Sequence, residues 1–234
     1  TRFLLTTTAA NGSFDSSIVK LAQGTTSYTF KYLSPLAGVN TINMKWLVAN
    51  SDSVNAAKTI GKHDVTISAG PPAKLFIRTQ PVGDSSGKLL KTQPVIEIQD
   101  AQGNPTTSNA TVTVAIKSGA NGSIGGTLAI TAVDGVATYS NLTLSGNSNV
   151  DYILEFSAAG LTSAQSNSNV INSAAVKLNP GASKKVIFTN APKNLTAAVK
   201  SDDYTIQLID ADGNYTTIKQ DTEIDLSTTA TSTG

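Results

Sequence analysis

An all-β chain arranged as tandem sandwich modules is the fold this sequence predicts, on three observations. Apolar residues alternate with polar ones at period two, in runs of six to nine residues. Gly, Asn, Asp and Pro break those runs every 8 to 15 positions. The pattern also returns with a period of roughly 110 residues. Asp100-Ala101-Gln102-Gly103-Asn104 recurs as Asp210-Ala211-Asp212-Gly213-Asn214, and Lys74-Leu75-Phe76-Ile77 recurs as Lys185-Val186-Ile187-Phe188. Looking backward, Ala120-Asn121-Gly122-Ser123-Ile124 matches Ala10-Asn11-Gly12-Ser13-Phe14, and Gly135-Val136-Ala137-Thr138-Tyr139 matches Gly24-Thr25-Thr26-Ser27-Tyr28. A period this long is the size of a domain rather than of a solenoid turn.

The complete unit is expected over 70–178, with 1–69 the C-terminal part of a preceding copy and 179–234 the N-terminal part of a following one. Its first run is Lys74 to Gln80; the second, Pro94 to Gln99, ends on the Asp100–Asn104 turn. In the third, Ala110 to Lys117, Val112, Val114 and Ile116 share one face and Thr111, Thr113 and Ala115 the other, as in a sheet with one wet side. Thr127 to Val133 and Val136 to Leu144 flank Asp134-Gly135, a hairpin signal. The sixth run, Asp151 to Ala158, turns Tyr152, Leu154 and Phe156 inward, and the polar seventh, Thr162 to Ile171, suits a sheet edge. Seven short strands in about 100 residues predict a two-sheet sandwich of immunoglobulin-like type. In the first segment Ile42, Met44 and Trp46 are expected to point inward from Thr41 to Val48. Proline-bearing linkers, Ala69-Gly70-Pro71-Pro72 and Leu178-Asn179-Pro180-Gly181, predict semi-rigid joints. Residues 223–231 align with 2–10 at an offset of 221, two periods, so the chain is expected to be a window on a longer polypeptide.

Composition narrows the function. Only 14% of the residues are charged and the net charge is +1, which gives no electrostatic case for nucleic acid or an acidic membrane. Cysteine is absent, so disulfides, thiolate catalysis and sulfur-ligated zinc are ruled out. The sequence carries no apolar run near 18 residues. Low charge with abundant Ser, Thr and Asn favours an extracellular, cell-surface location.

These residues, from Ala73-Lys74-Leu75-Phe76 through Pro94–Asn104 and Gly135–Leu142 to Tyr152-Ile153-Leu154-Glu155-Phe156, resemble the bacterial immunoglobulin-like repeats of the invasin and intimin type. Such repeats occur in tandem in adhesins, surface-layer proteins and other exported proteins. The resemblance implies a spacer or structural unit, with recognition often carried by a terminal domain.

Candidate chemistry is sparse. His63, the one histidine, lies beside Asp64 with no nucleophile-elbow sequence, and is expected to be a solvated residue at a strand end. Gly119–Gly126 lacks the lysine and helix of a phosphate cradle and is expected to be a mobile loop. Asp210, Asp212 and Asn214 alternate around Gly213. A capped turn is the first reading of this pattern and calcium ligation the alternative, since the glycine and terminal glutamate of an EF-hand are misplaced or missing. No other cofactor is expected. Asn11, Asn109, Asn121, Asn141, Asn194 and Asn214 head N-glycosylation triplets. A covalent link between Lys74 and Glu97 on a neighbouring strand is a minor alternative.

The sequence therefore points to a non-catalytic structural segment of a large secreted prokaryotic cell-surface protein, in a surface layer, fibre or adhesin stalk. Its expected partners are neighbouring copies or other surface proteins. The alternatives are a glycan-binding or adhesin module acting through Ser118–Gly126 and Ser145–Val150, which contain no aromatic residue, or an accessory spacer of a large extracellular enzyme.

Overall fold

A computed structural model describes residues 2–47, 58–166, 175–190, 203–218 and 223–224. All regular structure among them is β-strand. The first segment holds β1 (Arg2–Thr7), β2 (Ser13–Phe14), β3 (Ile18–Lys20), β4 (Tyr32–Leu33), β5 (Gly38–Trp46) and β6 (Lys58–Ile67). The central segment holds β7 (Lys74–Thr79), β8 (Lys88–Leu89), β9 (Val95–Gln99), β10 (Thr111–Ser118), β11 (Ser123–Gly125), β12 (Ala129–Thr131), β13 (Val136–Thr138), β14 (Thr143–Ser145), β15 (Ile153–Ser157) and β16 (Ala164–Gln165). Two more strands follow, β17 (Lys185–Asn190) and β18 (Thr205–Ile209).

Three sheets make the central segment, ordered β12-β10-β15-β16, β13-β9-β7 and β11-β14-β8. Because strand side chains alternate between faces, the apolar half of each run is enclosed and the polar half left wet. Val112, Val114, Leu154 and Phe156 of the four-stranded sheet are buried together with Leu75, Ile77, Ile96 and Ile98 of the β13-β9-β7 sheet in one β-sandwich core. Each such side chain contributes about 1.5–3 kcal/mol by leaving water. Tyr139 lies in this core 5.7 Å from the Phe156 ring and donates its hydroxyl to the Val112 carbonyl at 2.8 Å. Burial pushes its phenol up to about 12. Tyr152, also fully enclosed, is packed so closely that a β-carbon at Gly119 or Gly122 would overlap its ring.

Several expectations are corrected. Gly119–Gly126 is not a mobile loop: it carries β11, which pairs with β14, and Gly119 and Gly122 admit the Tyr152 ring. At Asp134-Gly135 both residues take positive φ, 47° and 78°, and Val133 and Val136 exchange backbone hydrogen bonds. The long hairpin stops there, because β12 pairs with β10 and β13 with β9. The turn is a corner between sheets. Met44 and Trp46, expected inward, are 37% and 50% exposed, while Ile42 is buried. β16 lies at the edge of its sheet as expected, but Thr162 at the start of the same run exchanges backbone hydrogen bonds with Ala73 and Leu75 on the β7 side, and residues 167–171 of that run lie outside the described residues.

The same strand pairings recur. β7 pairs with β9 and β17 with β18 in equivalent register, Leu75 opposite Ile98 and Val186 opposite Leu208, with a register shift between Ile77 and Thr79 and again between Phe188 and Asn190. Likewise Phe3 faces Trp46 in the β1–β5 pair where Val114 faces Phe156 in the β10–β15 pair. Asn11 and Asn121, one period apart, share a left-handed backbone at φ 59° and 57°.

Candidate functional site

Among the described residues two hydrogen-bonded turns stand out, each tying one segment to a loop of the segment before it. In the first, the chain leaving β9 folds over Asp100, whose amide donates to the Asn104 carbonyl at 2.9 Å. Gly103 closes the turn at φ 95°, a conformation that suits a residue without a β-carbon. Asp100 is 1% exposed, yet its carboxylate accepts three N–H donors, the Asn104 amide, the Asn104 side chain and the Gly70 amide of the linker, each at 2.8 Å. The Asn104 side chain is the first cause holding its carboxyl down at about 2, against the opposing effect of burial and with help from the Gly70, Asn104 and Gln102 amides.

Asn104 then reaches outward. Its Nδ2 donates to the Pro35 carbonyl at 2.9 Å, and its Oδ1 accepts the Ala37 amide at 2.9 Å. One side-chain amide thereby docks, donor to acceptor and acceptor to donor, on the loop between β4 and β5.

The second turn repeats this set. Asp210, 4% exposed, accepts the Asp212 and Asn214 amides on Oδ1, both at 2.9 Å, and the Gly181 amide at 2.6 Å and Asn214 Nδ2 at 2.9 Å on Oδ2. Burial opposes its ionisation, but the donors from Asn214, Gly181 and Asp212 outweigh that and hold its pKa below the ordinary value. Asn214 donates to the Gly146 carbonyl at 2.9 Å and accepts the Ser148 amide at 2.7 Å. Pro35 and Gly146, Ala37 and Ser148, and Gly70 and Gly181 hold equivalent places one period apart, as do the Asp, Gly and Asn of the turn. The second joint has one further tie, Ser86 Oγ donating to Asp212 and accepting the Gly146 amide at 2.9 Å. An open cleft flanks each joint, about 590 Å³ beside Gly181, Tyr215 and Thr216 and about 460 Å³ beside Gly70, Pro105 and Thr106.

What this arrangement does chemically is hold two loops together. Asp210 Oδ1 and Oδ2 each accept two N–H donors, filling the roughly four lone-pair sites of a carboxylate, so its capacity is taken up by capping. The capped-turn reading of Asp210, Asp212 and Asn214 accounts for their placement, and a cation would have to displace those donors. Asn214 is also corrected as a glycan acceptor, because it is 5% exposed and both its amide atoms are engaged. Asn11, Asn109 and Asn121 are exposed. Asn141 is exposed but exchanges hydrogen bonds with Thr127, and Asn194 lies outside the described residues. His63 is exposed, but it sits in the middle of β6 opposite Ile42 rather than at a strand end, and Asp64 accepts the Thr41 hydroxyl at 2.6 Å. Lys74 faces Gln99 across the strand pair and reaches the Ala101 carbonyl at 3.4 Å, while Glu97 accepts Gln99 Nε2 at 2.8 Å, so the Lys74–Glu97 link has no geometric support.

Sequence reasoning flagged the Asp–Gly–Asn turn but missed its partners at Pro35, Ala37, Gly146 and Ser148, and it missed Ser86. The usable signal was the matched spacing of Gly70 and Gly181 with the turn.

Neither a protein-family model nor a curated protein matches the chain in sequence. Solved structures similar to parts of it include the β-glucuronidase of Parabacteroides merdae (16% identity, 55% of this chain and 16% of that one, TM-score 0.30). Others are β-glucuronidase 3 of Bacteroides uniformis (10%, 66% and 20%, 0.30) and a β-glycosidase of Bacteroides vulgatus (11%, 76% and 21%, 0.29). The chain thus spans at most about a fifth of the length of these proteins, and glycosidase activity is a property named for those proteins.

Proposed function

We propose that this chain is a load-bearing, non-catalytic stretch of a tandem immunoglobulin-like array in a large secreted cell-surface protein of a prokaryote, in a surface layer, fibre or stalk. The observation that carries this reading is the joint: one buried Asp and one buried Asn, making the same hydrogen bonds to equivalent backbone groups at two places one period apart. A flexible string of domains has no use for a buried, saturated link at each connection, whereas a rod that fixes the angle between successive units does. The units are 70–178 and the partial copies 1–69 and 179–234. Load passes along strands held by inter-strand hydrogen bonds and across the Asp–Asn turn at each connection. With a net charge of +1, such rods lie side by side without strong repulsion, which favours a lattice or fibre with neighbouring copies as partners.

Electron microscopy of the native source material tests this reading. The expected result is a sheet, filament or straight arm with an axial repeat set by successive units. Compact globular particles without extended arms would overturn it.

A further inference from the structure

The two joints share more than their hydrogen bonds. Each is flanked by an open cleft whose walls correspond: Gly70, Thr106 and Thr107 at the first stand where Gly181, Thr216 and Thr217 stand at the second. The ends of the sequence do not create these clefts. The stretch after Thr107, counterpart of the chain after Thr217, runs on into β10 and leaves the first cleft open at Ser108. At the second joint the preceding segment contributes Ser85 and Lys88, which line the cleft without filling it. The central segment thus supplies the following side of one joint and the preceding side of the other, and the cleft stands open at both.

The second cleft, about 590 Å³, falls within the range of about 300–1,000 Å³ of small-molecule sites. Its lining side chains have binding capacity left. Tyr215 is 64% exposed, and its backbone is fixed on both sides: it follows the buried Asn214 and bridges to Ile209, while the Thr216 amide donates to the Leu208 carbonyl at 3.0 Å. Its ring therefore offers an apolar face to solvent from a rigid base. The hydroxyls of Ser85, Ser183 and Thr217 make no hydrogen bond, and Lys88 no ion pair, among the described residues. No carboxylate lines the cleft. An aromatic face, three hydroxyls and a cation without an anion suit an acidic sugar. Its C–H face stacks on the phenol ring, its hydroxyls exchange hydrogen bonds with the side chains, and its carboxylate meets Lys88 as a point charge.

We propose that the cleft at the second joint is a subsite for a uronate-bearing saccharide, with Tyr215 as the stacking face and Lys88 as the partner of the carboxylate. The loops Ser118–Gly126 and Ser145–Val150 offer no such ring. Ser85 and Lys88 come from the central segment, and Ser183, Tyr215 and Thr217 from the one after it. The site is therefore assembled by the Asp210–Asn214 turn that holds the two segments together. At the first joint Pro105, bridged to Gln99, takes the place of Tyr215, so that cleft keeps a smaller apolar ring. The proposal rests on the geometry of the joint and is independent of the cell-surface reading, which imaging of the native material tests by itself.

Calorimetric titration of the full chain with short oligomers of galacturonate, mannuronate and glucuronate, each against its neutral hexose counterpart, decides it. The wild-type chain is expected to bind at least one uronate series with a dissociation constant below about 1 mM, and the neutral counterpart at least about tenfold more weakly. Tyr215→Ala is expected to weaken uronate binding at least about tenfold, and Tyr215→Phe to retain it because the ring face remains. Lys88→Gln is expected to abolish the preference for the acidic series and leave binding of the neutral one unchanged. Both side chains are exposed, so these changes leave the packed interior intact. A dissociation constant above about 1 mM for every uronate series would overturn the proposal. So would Tyr215→Ala binding as the wild type does, or a preference for the acidic series that survives in Lys88→Gln.

Discussion

Asn104→Ala isolates the joint. The substitution removes three hydrogen bonds: Nδ2 to Pro35, the Ala37 amide to Oδ1, and Nδ2 to Asp100. Asp100 keeps the Asn104 and Gly70 amides, so the turn itself survives and the loss falls on the link to the first segment. Net contributions of about 1 kcal/mol per bond place the cost across the link at about 2 kcal/mol, since Pro35 and Ala37 are only half-buried and water reaches them once the side chain is gone. Trp46, the single tryptophan, lies in the first segment and reports its unfolding alone. At a urea dependence of about 2 kcal/mol per molar, the Trp46 fluorescence midpoint is expected to fall by about 1 M. Asn214→Ala cuts the equivalent link to Gly146 and Ser148 at the other joint, and is expected to leave the Trp46 midpoint where it was. An unshifted midpoint in Asn104→Ala, or an equal shift in Asn214→Ala, would refute the claim that this amide couples the first segment to the central one.

Acid should loosen the same joint. Asp100 has its pKa lowered to about 2 in the fold from an ordinary 3.8, so its stabilisation is complete above about pH 4 and is lost as pH falls through that window toward 2. Far-ultraviolet dichroism across pH 5 to 2, compared with Asp100→Asn, is expected to show an acid-dependent loss of thermal stability that the variant largely lacks. Gly122→Ala places a methyl group 2.5 Å from the Tyr152 ring and is expected to cost about 1–3 kcal/mol by overpacking. Calorimetry checks this, and an unchanged melting temperature would mean that the 119–126 stretch yields as a mobile loop would.

Much of the fold is legible in local pattern because strand alternation is a local property. Val112 and Val114 against Thr111 and Thr113, or Leu154 and Phe156 against Glu155, state which face is buried before any partner strand is known. The Asp–Gly–Asn turn and its return one period later were equally visible, since turn chemistry resides in a few adjacent residues. Pairing is not local. Asp134-Gly135 makes the two-residue turn its sequence calls for, yet the strands on either side separate into different sheets, because β10 and β9 offer them longer-range partners. The glycines at 119 and 122 read as flexibility until the Tyr152 ring, from a strand well beyond them in the chain, occupies the space that side chains would need.

By itself, then, the sequence determined the β class, the inward faces of the central strands, the turns and the period of the pattern, all consequences of side-chain alternation and backbone preference within a few residues. Only the tertiary structure decided that the recurring turn is a joint. Its carboxylate and amide are satisfied by backbone groups 29 to 69 residues distant, at Gly70, Pro35 and Ala37 and again at Gly181, Gly146 and Ser148. A backbone amide or carbonyl carries no signature of its own in sequence, so which of them a buried side chain will meet is fixed only when the strands pack.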